Sequence, residues 1–207
     1  MDQPIPNTCT AFSGRRSIGS GDLREVALKA KAVLDRDPWA QVLIFDDVTS
    51  RLIEVDFRGT AEDVARRIAA ANSAAEGEAQ KTEANLGDGD PDAVRGPGRP
   101  KLGVVAREVT LLPRHWEWLA SQPGGASVAL RKLVEQARAA NKGKDKLRHA
   151  QEAAYRFLSA MAGNEPGFEE ATRALFAGKR KRFARSVEEW PADIRDHAKK
   201  LAAAAFE

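Results

Sequence analysis

The sequence predicts an α+β protein: a small N-terminal ββαββα unit, a flexible linker, a strand-helix-helix segment and a C-terminal helical bundle. Three observations predict it. Short apolar runs and alternating runs before residue 60 have the length and period of strands. Residues 72–98 are acidic, small and almost free of large apolar side chains, so they bury too little to offset their ordering entropy. From residue 146 onward, apolar residues recur every three or four positions, as on one face of a helix. These features divide the chain into an α+β unit at 8–71, a linker at 72–98, a basic segment at 99–145 and a helical region at 146–207.

In the first unit, Thr8–Ser13 is a strand candidate and Arg15–Ser20, beyond the Gly14 turn, a weaker partner. Asp22 and Glu25 have capping-box spacing before a helix carrying Leu23, Val26, Ala27, Ala30, Val33 and Leu34 on one face. Asp37-Pro38 ends it. Gln41–Phe45 reads as a buried strand and Asp46–Ser50 as a turn. Arg51–Arg58 alternates, with Ile53, Val55 and Phe57 on one face, and is predicted to be a fourth strand. Thr60, with Asp63 at N3, starts a second helix that runs to about Ala71. In the basic segment, Arg107–Leu112 is a strand candidate. Pro113 suits the first position of a short helix with Trp116, Leu119 and Ala120 on one side. Gln122-Pro123-Gly124-Gly125 breaks it. Ser127 is an N-cap candidate for a helix with Leu130, Leu133, Val134 and Ala137 on its apolar face, closed by Asn141-Lys142-Gly143. In the last region, Leu147, Ala150, Ala154, Leu158 and Met161 share a face. Pro166 opens a helix stopped by Gly178, Phe183 and Val187 mark another, and Pro191 opens the last.

The net charge of +3 conceals an asymmetry. Residues 1–94 hold 11 basic and 17 acidic side chains, whereas residues 95–148 hold 12 and 4. A local cationic surplus concentrates polyanions near that segment. The single cysteine, Cys9, closes no intramolecular disulfide and gives no sign of an oxidising compartment. The start of the chain lacks signal-peptide character and no apolar run reaches the ~20 residues of a membrane span. A cytoplasmic protein is expected, with no membrane partner.

Arg95-Gly96-Pro97-Gly98-Arg99-Pro100-Lys101 is the sharpest motif. Its Gly98-Arg99-Pro100 core, flanked by Arg95 and Lys101, resembles an AT-hook. The resemblance implies an extended segment in the narrow minor groove of A·T-rich DNA. There Gly allows close approach, Pro keeps the chain extended, and Arg meets the enhanced negative potential. Pro97 stands where that family usually carries a second groove arginine. The same residues also suit a stiff basic linker. Residues 107–138 follow the order strand, Pro, short helix, Gly turn, longer helix, and resemble the ribbon-helix-helix family. That resemblance implies an intertwined homodimer whose paired strands enter the major groove. Either Glu108, Thr110 and Leu112 or Arg107, Val109 and Leu111 would face the groove, a one-residue difference that exchanges the faces. A helical hairpin packed on the C-terminal helices is the competing reading. The residues expected to contact DNA are Arg95, Gly98, Arg99, Pro100, Lys101, Arg107, Thr110, Arg114, Arg131 and Lys132; Lys142, Lys144 and Lys146 add phosphate candidates.

Other features point elsewhere less strongly. Lys179-Arg180-Lys181-Arg182 with Arg185 is a further basic run at a helix start. Gly14, Gly19 and Gly21 lack the spacing of a nucleotide fingerprint and suit a turn and a helix entry. Asp46, Asp47, Glu54 and Asp56 fit strand-edge solubility better than a Mg²⁺ site. His115, His149 and His197 are scattered and no nucleophile–base pair is evident, so neither an enzyme nor a cofactor is expected.

Phrases such as Val104–Trp116 and Leu43-Ile44-Phe45-Asp46-Asp47 resemble, over nearly the whole length, a bacterial family of uncharacterised proteins. That resemblance implies a stand-alone bacterial protein and brings no activity with it. The sequence therefore predicts a DNA-binding regulator or nucleoid-type factor, homodimeric through residues 104–140. One alternative is an interaction module docking an acidic partner or its own acidic N-terminal half. A second is an enzyme with a pocket lined by Asp46, Asp56 and Arg15.

Overall fold

The computed structural model describes residues 8–85 and 107–206, with side chains described over 8–73 and 107–206. They fall into two compact units. One combines the residues up to 73 with those from 143 on; the other is residues 74–142.

The first unit is organised by a three-stranded antiparallel sheet of β1 (Cys9–Ser13), β2 (Arg16–Gly21) and β3 (Val42–Asp46), in the order β2-β1-β3. Thr10 faces Phe45 and Phe12 faces Leu43 across β1 and β3. On the other side Ala11 opposes Gly19 and Phe12 opposes Ser17, so Ile18 bulges from β2. Cys9, Thr10, Ala11 and Phe12 are all buried. Strand alternation explains this. Cys9, Ala11 and Ile44 join Val26 and Ala27 of α1 (Leu23–Arg36) and Val64 and Ile68 of α2 (Ala61–Asn85) in one core.

Phe12 and Phe45 join a second core on the opposite face. There they meet Phe157 of α4 (Gly125–Met161), Leu175 of α5 (Phe168–Phe176), Phe183 of α6 (Arg180–Ser186) and Ile194 of α7 (Ala192–Ala203). The sheet thus has helices on both faces. Its β2 edge is capped too: the Ser17 N–H donates to Asp193 Oδ2 of α7 at 2.8 Å. A backbone donor that would invite another strand is thereby satisfied.

Local chemistry places the helix ends. The Arg24 N–H donates to Asp22 Oδ1 at 2.8 Å, starting α1. The Thr60 N–H donates to Asp63 Oδ2 at 3.0 Å and the Asp63 N–H to Thr60 Oγ1 at 3.3 Å, a reciprocal cap. Gly167 has φ 77°, and a Cβ there would lie 2.9 Å from the Ser186 carbonyl oxygen. Only glycine fits that junction. Beside it, Trp190 Nε1–H donates to the Pro166 carbonyl at 2.7 Å.

Several sequence expectations are corrected. Residues 51–58 are not a fourth strand. Only Leu52 bridges Phe45, supported by Ile53 N–H to Ile44 O at 2.8 Å. Beyond that, Asp56 accepts from the Arg58 N–H at 3.0 Å and Arg67 donates to the Asp56 carbonyl at 2.8 Å. Side chains there replace the ladder, although Ile53, Val55 and Phe57 do pack inward as the alternation predicts. Helix α2 continues past Ala71 to Asn85, because Ala, Glu, Gln and Lys favour helix. Residues 107–112 form no strand; an antiparallel ribbon needs a partner, and none lies beside them among the described residues. Ser127 is not an N-cap, since α4 begins at Gly125. Nor does Gly143 end that helix. Its cost of about 1 kcal/mol is outweighed by the good formers around it, and Asn141 Nδ2 bonds back to the Ala137 carbonyl at 2.9 Å. None of the described helices is long and apolar enough to cross a membrane.

Two outcomes test this architecture. Residues 8–71 expressed alone leave Phe12 and Phe45 uncovered. They are expected to show poorly dispersed amide spectra and no cooperative melt; a well-dispersed spectrum would contradict the shared core. In the full chain, Phe157→Ala should cost about 3–5 kcal/mol in denaturant titrations, since Phe157 is fully buried.

Candidate nucleic-acid interface

Arg95, Gly98, Arg99, Pro100 and Lys101 lie outside the described residues. The other expected contacts do not. Arg107 and Thr110 sit in the exposed segment before α3 (Pro113–Ala120), and Arg114 is on its first turn. Leu112 is extended at φ −66°, ψ 149°, as the residue before a proline must be. Gly124 and Gly125, with φ 86° and 73°, then reverse the chain into α4.

On α4, Arg131, Arg138 and Lys142 fall at i, i+7 and i+11. They therefore share roughly 40° of arc along about 16 Å of axis. Arg131 Nε donates to the Ser127 carbonyl at 3.1 Å and Arg138 pairs with Glu135 at 3.1 Å. Arg107, Arg114 and Lys132 are exposed and form no ion pair with another described residue. The structure thus leaves these cations in solvent, though Lys132 falls about 100° from the Arg131 ridge.

The apolar stripe of this unit is also open. Among the described residues 107–142, only Leu119 and Ala129 are buried. Val109, Leu112, Trp116, Trp118, Leu133 and Val134 are 41–53% exposed. The expected burial of Trp116 and Ala120 beside Leu119 does not occur.

The first unit uses its charges internally. Asp46 Oδ1 accepts from Val48 N–H at 2.9 Å and Thr49 Oγ1 at 2.8 Å, closing the turn after β3. Asp56 is held by Arg58 at 2.8 Å, and that pairing keeps its carboxyl far below the usual carboxylate range. Arg15 pairs with Glu165 at 2.7 Å. The three residues named for a catalytic pocket are therefore each engaged in separate structural contacts. Cys9 is buried, and desolvation followed by repulsion from Asp47 pushes its thiol up to about 12. A protonated thiol is a poor nucleophile.

One polar cluster escaped the sequence reading. Thr10 Oγ1 donates to Asp47 Oδ1 at 2.6 Å, and Lys200 Nζ lies 3.7 Å from Asp47 Oδ2. Nearby, His197 is 8% exposed, with Phe12 and Phe157 rings at 5.4 and 4.6 Å. Its Nε2 is buried without a hydrogen-bond partner among the described residues. The signal was present: His197 falls on the same face of α7 as Ile194, Ala198 and Leu201. Desolvation lowers its pKa to about 4, partly countered by Asp47 and reinforced by Lys200.

Residues 8–202 match the model of a family described as an uncharacterized protein conserved in bacteria (DUF2239). No curated protein and no solved structure matches the chain.

His197 makes stability depend on pH. The folded state holds it neutral, while the unfolded chain protonates near pH 6.5. Its contribution is complete above pH 6.5 and declines as pH falls toward about 4. Denaturant titrations should show the wild type losing about 3 kcal/mol more than His197→Gln over that interval. Equal losses would mean that His197 is not kept neutral by its surroundings.

Proposed function

We propose that this chain, which belongs to a family of uncharacterized proteins conserved in bacteria, is a DNA-binding regulator or nucleoid-type factor that acts as a homodimer. The observation that carries the reading is the state of residues 107–142. Arg107, Arg114 and Lys132 are exposed and unneutralised by the described residues, while Leu133, Val134 and Trp116 remain open. A second copy would bury the apolar side chains, and its own residues 107–112 would supply the missing antiparallel partner. The cationic side chains would then serve phosphates, which supply sequence-independent affinity. Arg95, Arg99 and Lys101 would add minor-groove contact with A·T-rich duplex.

A specific charge distribution favours a second reading, in which the basic segment docks an acidic peptide. Residues 1–73 carry 10 basic and 11 acidic side chains, but residues 74–94 carry 1 and 6. The acidity of the first half thus precedes the basic stretch directly in sequence. It would compete with DNA within the same chain.

A mobility shift with A·T-rich duplex at low salt tests the first reading; no shift at micromolar protein rejects it, because even non-specific binders respond there. Replacing both Arg131 and Lys132 by Ala should weaken binding on all sequences alike and flatten the log K against log salt slope by about 2. Arg99→Ala should lower the preference for A·T over G·C duplex. Leu133→Asp with Val134→Asp should convert a dimer to a monomer in sedimentation velocity. Neutralising Glu76, Glu78, Glu83, Asp88, Asp90 and Asp92 to their amides separates the readings. Tighter DNA binding supports internal competition, whereas DNA binding absent before and after the change leaves peptide docking.

A further inference from the structure

One end of the first unit departs from that internal use of charge. At the close of α5, Gly178 has φ 65°. Its N–H donates to the Leu175 carbonyl at 3.1 Å, and the Lys179 N–H donates to the Ala174 carbonyl at 2.9 Å. This reversal ends the helix and sets Lys179 within a turn of Phe176. On α4, Gln151 and Tyr155 share a face at i, i+4. Gln151 Nε2 donates to the Leu175 and Phe176 carbonyls at 3.2 and 3.4 Å. The Tyr155 and Phe176 rings meet with centroids 5.7 Å apart. Both rings are thus held in place, yet they are 42% and 50% exposed.

The chain that follows the rings is cationic. Residues 171–187 hold six basic side chains and no acidic one. Glu170 engages Arg173 and Arg182. Lys179, Arg180, Lys181 and Arg185 are exposed and form no ion pair with another described residue. Of the flanking carboxylates, Glu188 is held by Lys199 at 2.8 Å, and Glu169 and Glu189 do not offset four cations. Phe183 and Val187 turn the apolar side of α6 into the core, so no apolar helix face is left to enter a lipid surface. Open rings beside cations match the two parts of an unpaired nucleotide, a base with a free π-face and a phosphate. A duplex keeps its bases stacked and offers the rings nothing.

We propose that the end of α5 is a binding surface for single-stranded nucleic acid, with bases stacked on Tyr155 and Phe176 and phosphates at Lys179, Arg180 and Lys181. It is carried by the first unit and stands whether or not residues 95–142 bind duplex. Oligothymidylate binding to the full-length protein, read by fluorescence anisotropy at low salt, tests it. Phe176→Ala should weaken binding about tenfold, with the melt and any duplex shift unchanged, whereas Tyr155→Phe, which keeps the ring, should bind as the wild type does. Lys179→Gln with Lys181→Gln should flatten the log K against log salt slope by about 1.4. With 5-iododeoxyuridine in the oligonucleotide, irradiation should cross-link Tyr155 or Phe176. No binding of oligothymidylate, equal affinity in the Phe176→Ala variant, or cross-links confined to other residues would overturn the proposal. Equal displacement by oligoglutamate would also overturn it, by showing a surface that reads charge alone, as an acidic peptide would.

Discussion

A three-stranded sheet whose central strand is buried on both faces constrains everything else in this protein. Strand β1 sends Cys9 and Ala11 one way and Thr10 and Phe12 the other, and neither face tolerates water. Helices α1 and α2 cover the first face. Among the described residues the second is covered by α4 to α7, from the far end of the sequence. Phe12, Phe45 and Phe157 form the join, with ring centroids 5.2–6.2 Å apart. Such a set buries a large apolar area and adds geometric preference to it. The two flanks of the sequence therefore stabilise one another, and residues 74–142 form a separate compact unit.

This division of labour explains the contrast in charge use. Burial in the first unit is extensive, and several of its polar groups are matched: Thr10 with Asp47, Ser17 with Asp193, Trp190 with Pro166. An unmatched group there carries a desolvation cost, and His197 meets it by staying neutral. Residues 107–142 bury almost nothing and face no such demand. Their arginines and lysines stay hydrated, which makes them available to a polyanion at little desolvation cost.

Much of this was legible in the sequence, and the misses share a cause. The α+β class, the strand pair around Gly14, the Asp22 and Thr60 helix starts and Pro113 at the head of α3 follow from local rules, and local rules sufficed. Residues 51–58 alternate correctly, yet whether a ladder forms depends on Arg67, an exposed side chain on α2. Gly143 looks like a stop, yet the helix runs through it because its neighbours are strong formers. The double burial of β1 was not visible, since Cys9-Thr10-Ala11-Phe12 is small enough to read as an ordinary edge. His197 was one scattered histidine until α7 placed it against Phe12 and Phe157. Of the basic segment, sequence gives the charge and the Gly98-Arg99-Pro100 core. The exposure of Arg107, Arg114 and Lys132 required the fold.

The same fold relocates the acidic half of the molecule. Taken as a stretch of sequence, residues 1–94 look like an acidic module able to cover a basic one. Taken as structure, residues 1–73 are nearly neutral, and Asp22, Asp46, Asp56 and Asp63 cap helices, close a turn or pair with Arg58, Arg66 and Arg67. The unbalanced negative charge is confined to residues 74–94. Folding back onto Arg99 or Lys101 would therefore need no docking surface on the folded unit, only charge a few residues away in sequence. A tethered competitor of that kind acts at high effective concentration and is screened by salt. Under the proposed reading both the competition and the phosphate contacts would weaken as salt rises, so the strength of DNA binding at one ionic strength would say little about how many cations such an interface uses.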